Sequence, residues 1–243
     1  MRSIAVGLPY APDNPNLTFI FFIALTLLSV LGVRFSYYAY RNRQTSEVGT
    51  GERLWDSLVV AGLCSVGFAL LGLVELLTVY VLPFKMGLLL AAVFVLAVAL
   101  RVLYRSVVPA TAGTEADSER GLTRAAVVGV GVVFAGLALV GRHPLVLAVT
   151  GVSALGFALA GGLYGRRGAA EARVQGTVVD TLLRHLLPVL LFAALVPALD
   201  LAVLVGLDRI VVLHIQVVFV IMTATTLMTA TIKLRQNLVG MGG

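Results

Sequence analysis

A chain of 243 residues that is 59% hydrophobic and 12% charged, with a mean hydropathy of +1.01, has too little polar surface to enclose a water-soluble globule. Its net charge of +6 comes from basic residues scattered at the ends of apolar runs, which fits membrane-flanking cations and argues against nucleic acid as a partner. The one cysteine, Cys64, lies inside an apolar run, so there is no disulfide framework and no redox motif.

Residues 1–16, interrupted by Pro9, Pro12 and Pro15, read as an extramembrane arm rather than a cleaved leader, because no small-residue cleavage site follows. The runs beyond it are apolar on every side and long enough, at about 20 residues, to cross a bilayer as helices. Barrel strands would alternate polar and apolar residues instead. Seven spans are expected, at 17–40, 54–80, 84–105, 123–141, 144–164, 181–205 and 210–233. Pro83, Pro144 and Leu207-Asp208-Arg209 mark tight turns on one side, while the longer connections 41–53, 106–122 and 165–180 lie on the other.

Thirteen Lys and Arg residues, from Arg41 to Arg235, flank the side of the long connections, against Arg2, Lys85, Arg142 and Arg209 opposite. This bias predicts an outside N-terminus, an inside C-terminus and a multi-pass protein of the cell membrane. The chain also repeats itself. "ALTLLSVLG" at 24–32 matches "AVTGVSALG" at 148–156, an offset of 124. At the same offset Tyr40 falls on Tyr164, Arg43 on Arg167, Glu47 on Glu171, Asp56 on Asp180 and Lys85 on Arg209.

The expected fold is therefore an all-α integral membrane protein with a parallel three-plus-one-plus-three repeat. Its three-helix units are 17–105 and 142–235. A flexible cytoplasmic loop, 106–122, and a linker helix, 123–141, separate them, and a tail follows at 236–243. An odd number of spans per unit plus one linker span makes the units enter the membrane in the same direction, related by a pseudo-twofold along its normal. This organisation is similar to that of SWEET-type sugar transporters, and the seven-span topology to that of microbial rhodopsins. Spans one and five lack a proline-glutamine motif, and Lys233, at the inner end of span seven, is not the mid-span lysine a retinal Schiff base needs.

Several residues are candidates for a substrate or ion pathway. Thr26, Ser29 and Gly32 form one narrow stripe on span one, and Thr150, Ser153 and Gly156 repeat it on span five. Such stripes serve close helix packing in lipid or line a path between the units. Glu75 lies inside "LLGLVELLTVY", and an intramembrane carboxylate is costly enough to suggest transport or proton coupling, unless it pairs with Lys85 or Arg209. Asp200 is one position out of register with it in the repeat. On span seven, His214 and Gln216 lie toward the outside, and Thr223 and Thr226 share the face of Gln216. Threonine hydroxyls can also bond backward to their own helix.

His185 and His214 belong to opposite sides, which argues against bis-His haem, and no cluster has metal-ligand spacing. No nucleophile elbow, phosphate loop or zinc-protease signature occurs, so no enzyme, cofactor or metal is expected. The leading expectation is a small-solute or ion permease in which two three-helix units rock about a midplane site. The alternative is a non-transporting sensor or accessory subunit that meets another membrane protein or a second copy of itself.

Overall fold

The computed structural model describes residues 14–45, 52–78, 82, 84–107, 144–170 and 178–241. The expected linker helix 123–141, the loop 106–122 beyond Val107, most of the arm 1–16 and Pro83 lie outside the described residues. Among the described residues the chain is helical with no strand, and six helices are long and apolar enough to cross a membrane. The elements are α1 (Pro15–Thr45), α2 (Glu52–Leu77), α3 (Lys85–Val107), α4 (Pro144–Ala170), α5 (Val178–Ala198), the short α6 (Asp200–Leu204) and α7 (Arg209–Met241).

Local chemistry sets the helix ends. Asn14 Oδ1 accepts the Leu17 N–H at 3.1 Å, and Pro15 follows it at the first helical position, where a missing N–H costs nothing. At 31 and 33 residues, α1 and α7 run roughly 45–50 Å, longer than the hydrocarbon core of about 30 Å. The excess on α1 carries Tyr37, Tyr40, Arg41 and Arg43, an interfacial set of aromatic and basic residues.

The run expected as one span over 181–205 is found as one candidate span, Thr181–Leu204, with a one-residue irregularity at Leu199. Pro197, inside α5, has no N–H to continue the ladder, the chain turns at Leu199, and Asp200 opens α6. Gly206, with φ of 95°, supplies the left-handed residue that ends α6, and Asp208 Oδ1 accepts the Ile210 N–H at 2.6 Å to start α7.

Packing fixes the direction of each neighbour. Leu25 meets Gly72, Gly32 meets Val66 and Arg43 meets Asp56, so α1 and α2 are antiparallel. The same holds for α2 with α3, for α4 with α5, and for α5 with α7, where Phe192 stacks on Phe219 at 6.2 Å. By contrast, Phe94 lies 5.0 Å from Phe157, Ala97 faces Gly161, and Tyr104 lies 5.6 Å from Tyr164, so α3 and α4 are parallel. The C-terminal parts of α1 and α7 also meet, through Asn42 and Leu234. One end of the bundle thus gathers the arginine-rich helix termini, and the other holds Glu75 and Asp200. A continuous apolar core runs between them, from Phe21 and Leu28 through Leu90 and Leu100 to Leu186, Leu190 and Val217.

A candidate site at the Glu75 and Asp200 helix ends

Glu75 closes α2 with its side chain shut inside the protein, only 1% exposed. It forms an ion pair with Lys85, itself 7% exposed, and its Oε1 accepts the Leu82 N–H at 2.6 Å. A buried carboxylate with a cation and a backbone donor has its lone pairs satisfied where lipid and core offer nothing else. The carboxylate thus ties the end of α2 to the start of α3 across their turn.

Asp200 plays the corresponding part between α5 and α7. It is 2% exposed, and its Oδ1 accepts from Arg209 Nη1 at 3.1 Å and from Gln216 Nε2 at 3.0 Å. The same Gln216 nitrogen donates to the Val196 carbonyl at 2.9 Å, at the place where Pro197 and the turn at Leu199 interrupt the helix. One glutamine on α7 therefore joins the last turn of α5 to the carboxylate that opens α6. Gln216 is buried with Asp200, whereas His214 is exposed and turns its Nδ1 to the Ile210 carbonyl at 2.8 Å.

The two small-residue stripes differ in surroundings. Thr26 is exposed on the α1 face that carries Ile23, Leu27 and Val30, Ser29 is half-buried, and a methyl on Gly32 would come within 2.8 Å of Val66 Cγ2. On α4, Thr150 is buried and donates to the Val146 and Leu147 carbonyls at 2.8 and 3.1 Å, Ser153 is half-buried, and Gly156 meets nothing within 4 Å. Equal sequence therefore differs in exposure, although α1 lies against α2 and α7 and α4 against α5 and α3. Thr223 and Thr226 donate to the Phe219 and Met222 carbonyls, at 2.7 and 2.8 Å. Thr225 and Thr229 do likewise, although both are exposed. Back-bonding of this kind lets a threonine-rich helix face lipid without a bare hydroxyl.

A second polar cluster had no counterpart among the expected sites. Asn42 is fully buried; its Nδ2 donates to the Tyr38 carbonyl at 2.8 Å and to the Leu234 carbonyl of α7 at 3.0 Å. Its Oδ1 accepts from Asn237 Nδ2 at 2.7 Å. The signal, two asparagines set among basic residues in "YRNRQ" and "KLRQN", is visible in the sequence, but nothing local says that segments 195 residues apart meet. Among the described residues no buried side-chain nitrogen or oxygen lacks a hydrogen-bond partner, and no group of three His, Cys, Asp or Glu could hold a metal ion.

Comparison with known proteins finds no match. No family model, no curated protein and no solved structure matches the chain.

Proposed function

We propose that the chain is a small-solute or ion permease of the cell membrane, built from two related three-helix units that rock against each other. The observation that carries this reading is that three pairs of helix contacts correspond when the units are exchanged, although the α3–α5 contact has no α2–α7 counterpart of similar extent. Contacts α1–α2 and α2–α3 correspond to α4–α5 and α5–α7, and the seam α1–α7 corresponds to the seam α4–α3. Each unit also closes one hairpin with a buried carboxylate and a cation, and the cations, Lys85 and Arg209, share the 124-residue register. Parallel repeats about an axis along the membrane normal suit alternating access around a site between the units.

The direction of the helices supports a seventh crossing. α3 and α4 both run toward the arginine-rich end, so the chain between Val107 and Pro144 leaves from one end and returns from the other. The apolar run 123–141 has the length for that passage. With the basic end inside, the N-terminus is outside.

The non-transporting reading, a sensor or accessory subunit, is favoured by a different observation: the buried polar groups among the described residues are partnered within the protein. Solute and ion flux into proteoliposomes holding the purified chain tests the two. Flux of a defined solute above protein-free vesicles is the expected result. No flux for any ion or small solute, together with stoichiometric co-purification of a second membrane protein, would replace the permease reading by the accessory one.

A further inference from the structure

We infer that the open face of α4 around Gly156 is the seat of residues 123–141 of the same chain, packed antiparallel to it. The inference rests on the seventh crossing proposed above and not on transport. Pro144, which opens α4, comes three residues after Gly141, where the apolar run ends. Three peptide units reach at most about 11 Å, close to the roughly 8–10 Å between the axes of packed helices. A crossing tethered this closely has α4 as its neighbour.

The other faces of α4 are taken. Gly161 meets Ala97 of α3 and Leu190 of α5, Gly168 meets Tyr104 and Leu183, and Gly151 meets Leu201 of α6. A methyl on Gly156, by contrast, would meet no described residue within 4 Å. Val149, Val152, Gly156, Ala160 and Leu163 share that face, and all are exposed. Glycine costs a helix conformational entropy, and membrane helices keep it where another backbone comes close. Its fellow glycines on α4 are used in that way, and Gly156 lacks only the neighbour. α1 also exposes an apolar face, at Ile23, Leu27 and Val30, but its glycine, Gly32, already meets Val66 of α2, and the tether enters α4.

The segment carries complementary sizes at matching depths. Gly156 is twelve residues beyond Pro144, and Gly131 is twelve before His143. In the same count Ala135 falls opposite Val152, Ala138 opposite Val149 and Val127 opposite Ala160. Val127, Gly131, Ala135 and Ala138 lie on one face of a helix. Each turn thus sets a small residue against a larger one, with two glycines at the closest approach.

The test is disulfide formation in the full-length chain with Cys64→Ala. Ala160→Cys with Val127→Cys should close a disulfide within one chain tenfold or more faster than Ala160→Cys with Gly129→Cys, which lies on the other face of the segment, or Val30→Cys with Val127→Cys. Gly156→Leu should lower Tm by several degrees. Labelling of Arg142→Cys and Ala116→Cys by an impermeant thiol reagent reads the crossing separately, and opposite sides are expected. The same side for both would remove the crossing and the docking with it. Opposite sides with equal rates in all three pairs would overturn the docking alone, as would disulfides between two chains, which would make the occupant a second copy. A Tm unchanged or raised by Gly156→Leu, as on a lipid-facing helix where leucine is the better helix former, would overturn it too.

Discussion

Lys85 and Arg209 each meet a carboxylate across a helix-to-helix turn, yet their surroundings differ. The Glu75–Lys85 pair is shut away on both sides, and its second backbone link, to Leu82, stays within the same turn. In the Asp200–Arg209 pair the arginine side chain is 34% exposed, and the carboxylate has a further donor in Gln216 from deeper in α7. The first pair is dry and depends on one cation. The second reaches solvent and has a reserve donor. Two helix-to-helix turns can thus do the same mechanical task, with the tolerance to losing one partner set by solvent access.

The largest effect is expected at the dry pair. Glu75→Gln removes the buried carboxylate that pairs with Lys85, and unfolding free energy should fall by about 3–5 kcal/mol, read as a lower melting temperature in detergent. Adding Lys85→Met should recover a large part of that loss, because replacing both members of a buried pair by neutral groups is far less costly than breaking it. If the single variant instead keeps its melting temperature and loses a pH-dependent flux, the residue acts in proton coupling rather than in holding the hairpin.

A smaller loss is expected from Asp200→Asn, about 1–3 kcal/mol, since Arg209 can turn to solvent while Gln216 keeps the Val196 carbonyl. A loss equal to that of Glu75→Gln would erase the difference between the pairs. Arg209→Gln should fall in the same range, about 1–3 kcal/mol, because the Asp200 carboxylate it leaves behind is buried and keeps only the neutral donor Gln216. Chemical denaturation in mild detergent would rank all three variants on one scale.

Much of this fold is written in local sequence. The apolar runs predict six of the helices to within a few residues at most ends, because burial against lipid needs only length and hydropathy. The irregularity at Leu199 follows Pro197, and local sequence does not say whether such a proline kinks or ends a membrane helix. Glu75 stood out as an intramembrane charge, and the sequence named Lys85 among its possible partners; that choice depends on a turn geometry that composition does not encode. Thr26 and Thr150 were legible as equivalent in sequence but not in exposure, which depends on which neighbour each helix finds. Asn42 went unread for a related reason. A lone asparagine beside arginines looks like any interfacial polar residue until its distant partner is placed.

The separations along the chain also bear on the order of synthesis. Glu75 and Lys85 are ten residues apart and Asp200 and Arg209 nine, so each charge emerges from the ribosome with its neutralising partner close behind. On insertion scales an unpaired charge in mid-helix costs about 2.5–3.5 kcal/mol, and a hairpin that carries both signs can enter the bilayer with that cost reduced from the outset. Asn42 is only partly provided for. Its Nδ2 can donate to the Tyr38 carbonyl within α1, but its other partners lie 192 and 195 residues downstream, so those bonds form only once the last helix has been made, and its Oδ1 waits for a donor until then. The hairpins are therefore finished early, whereas the seam between first and last helix can close only at the end of translation.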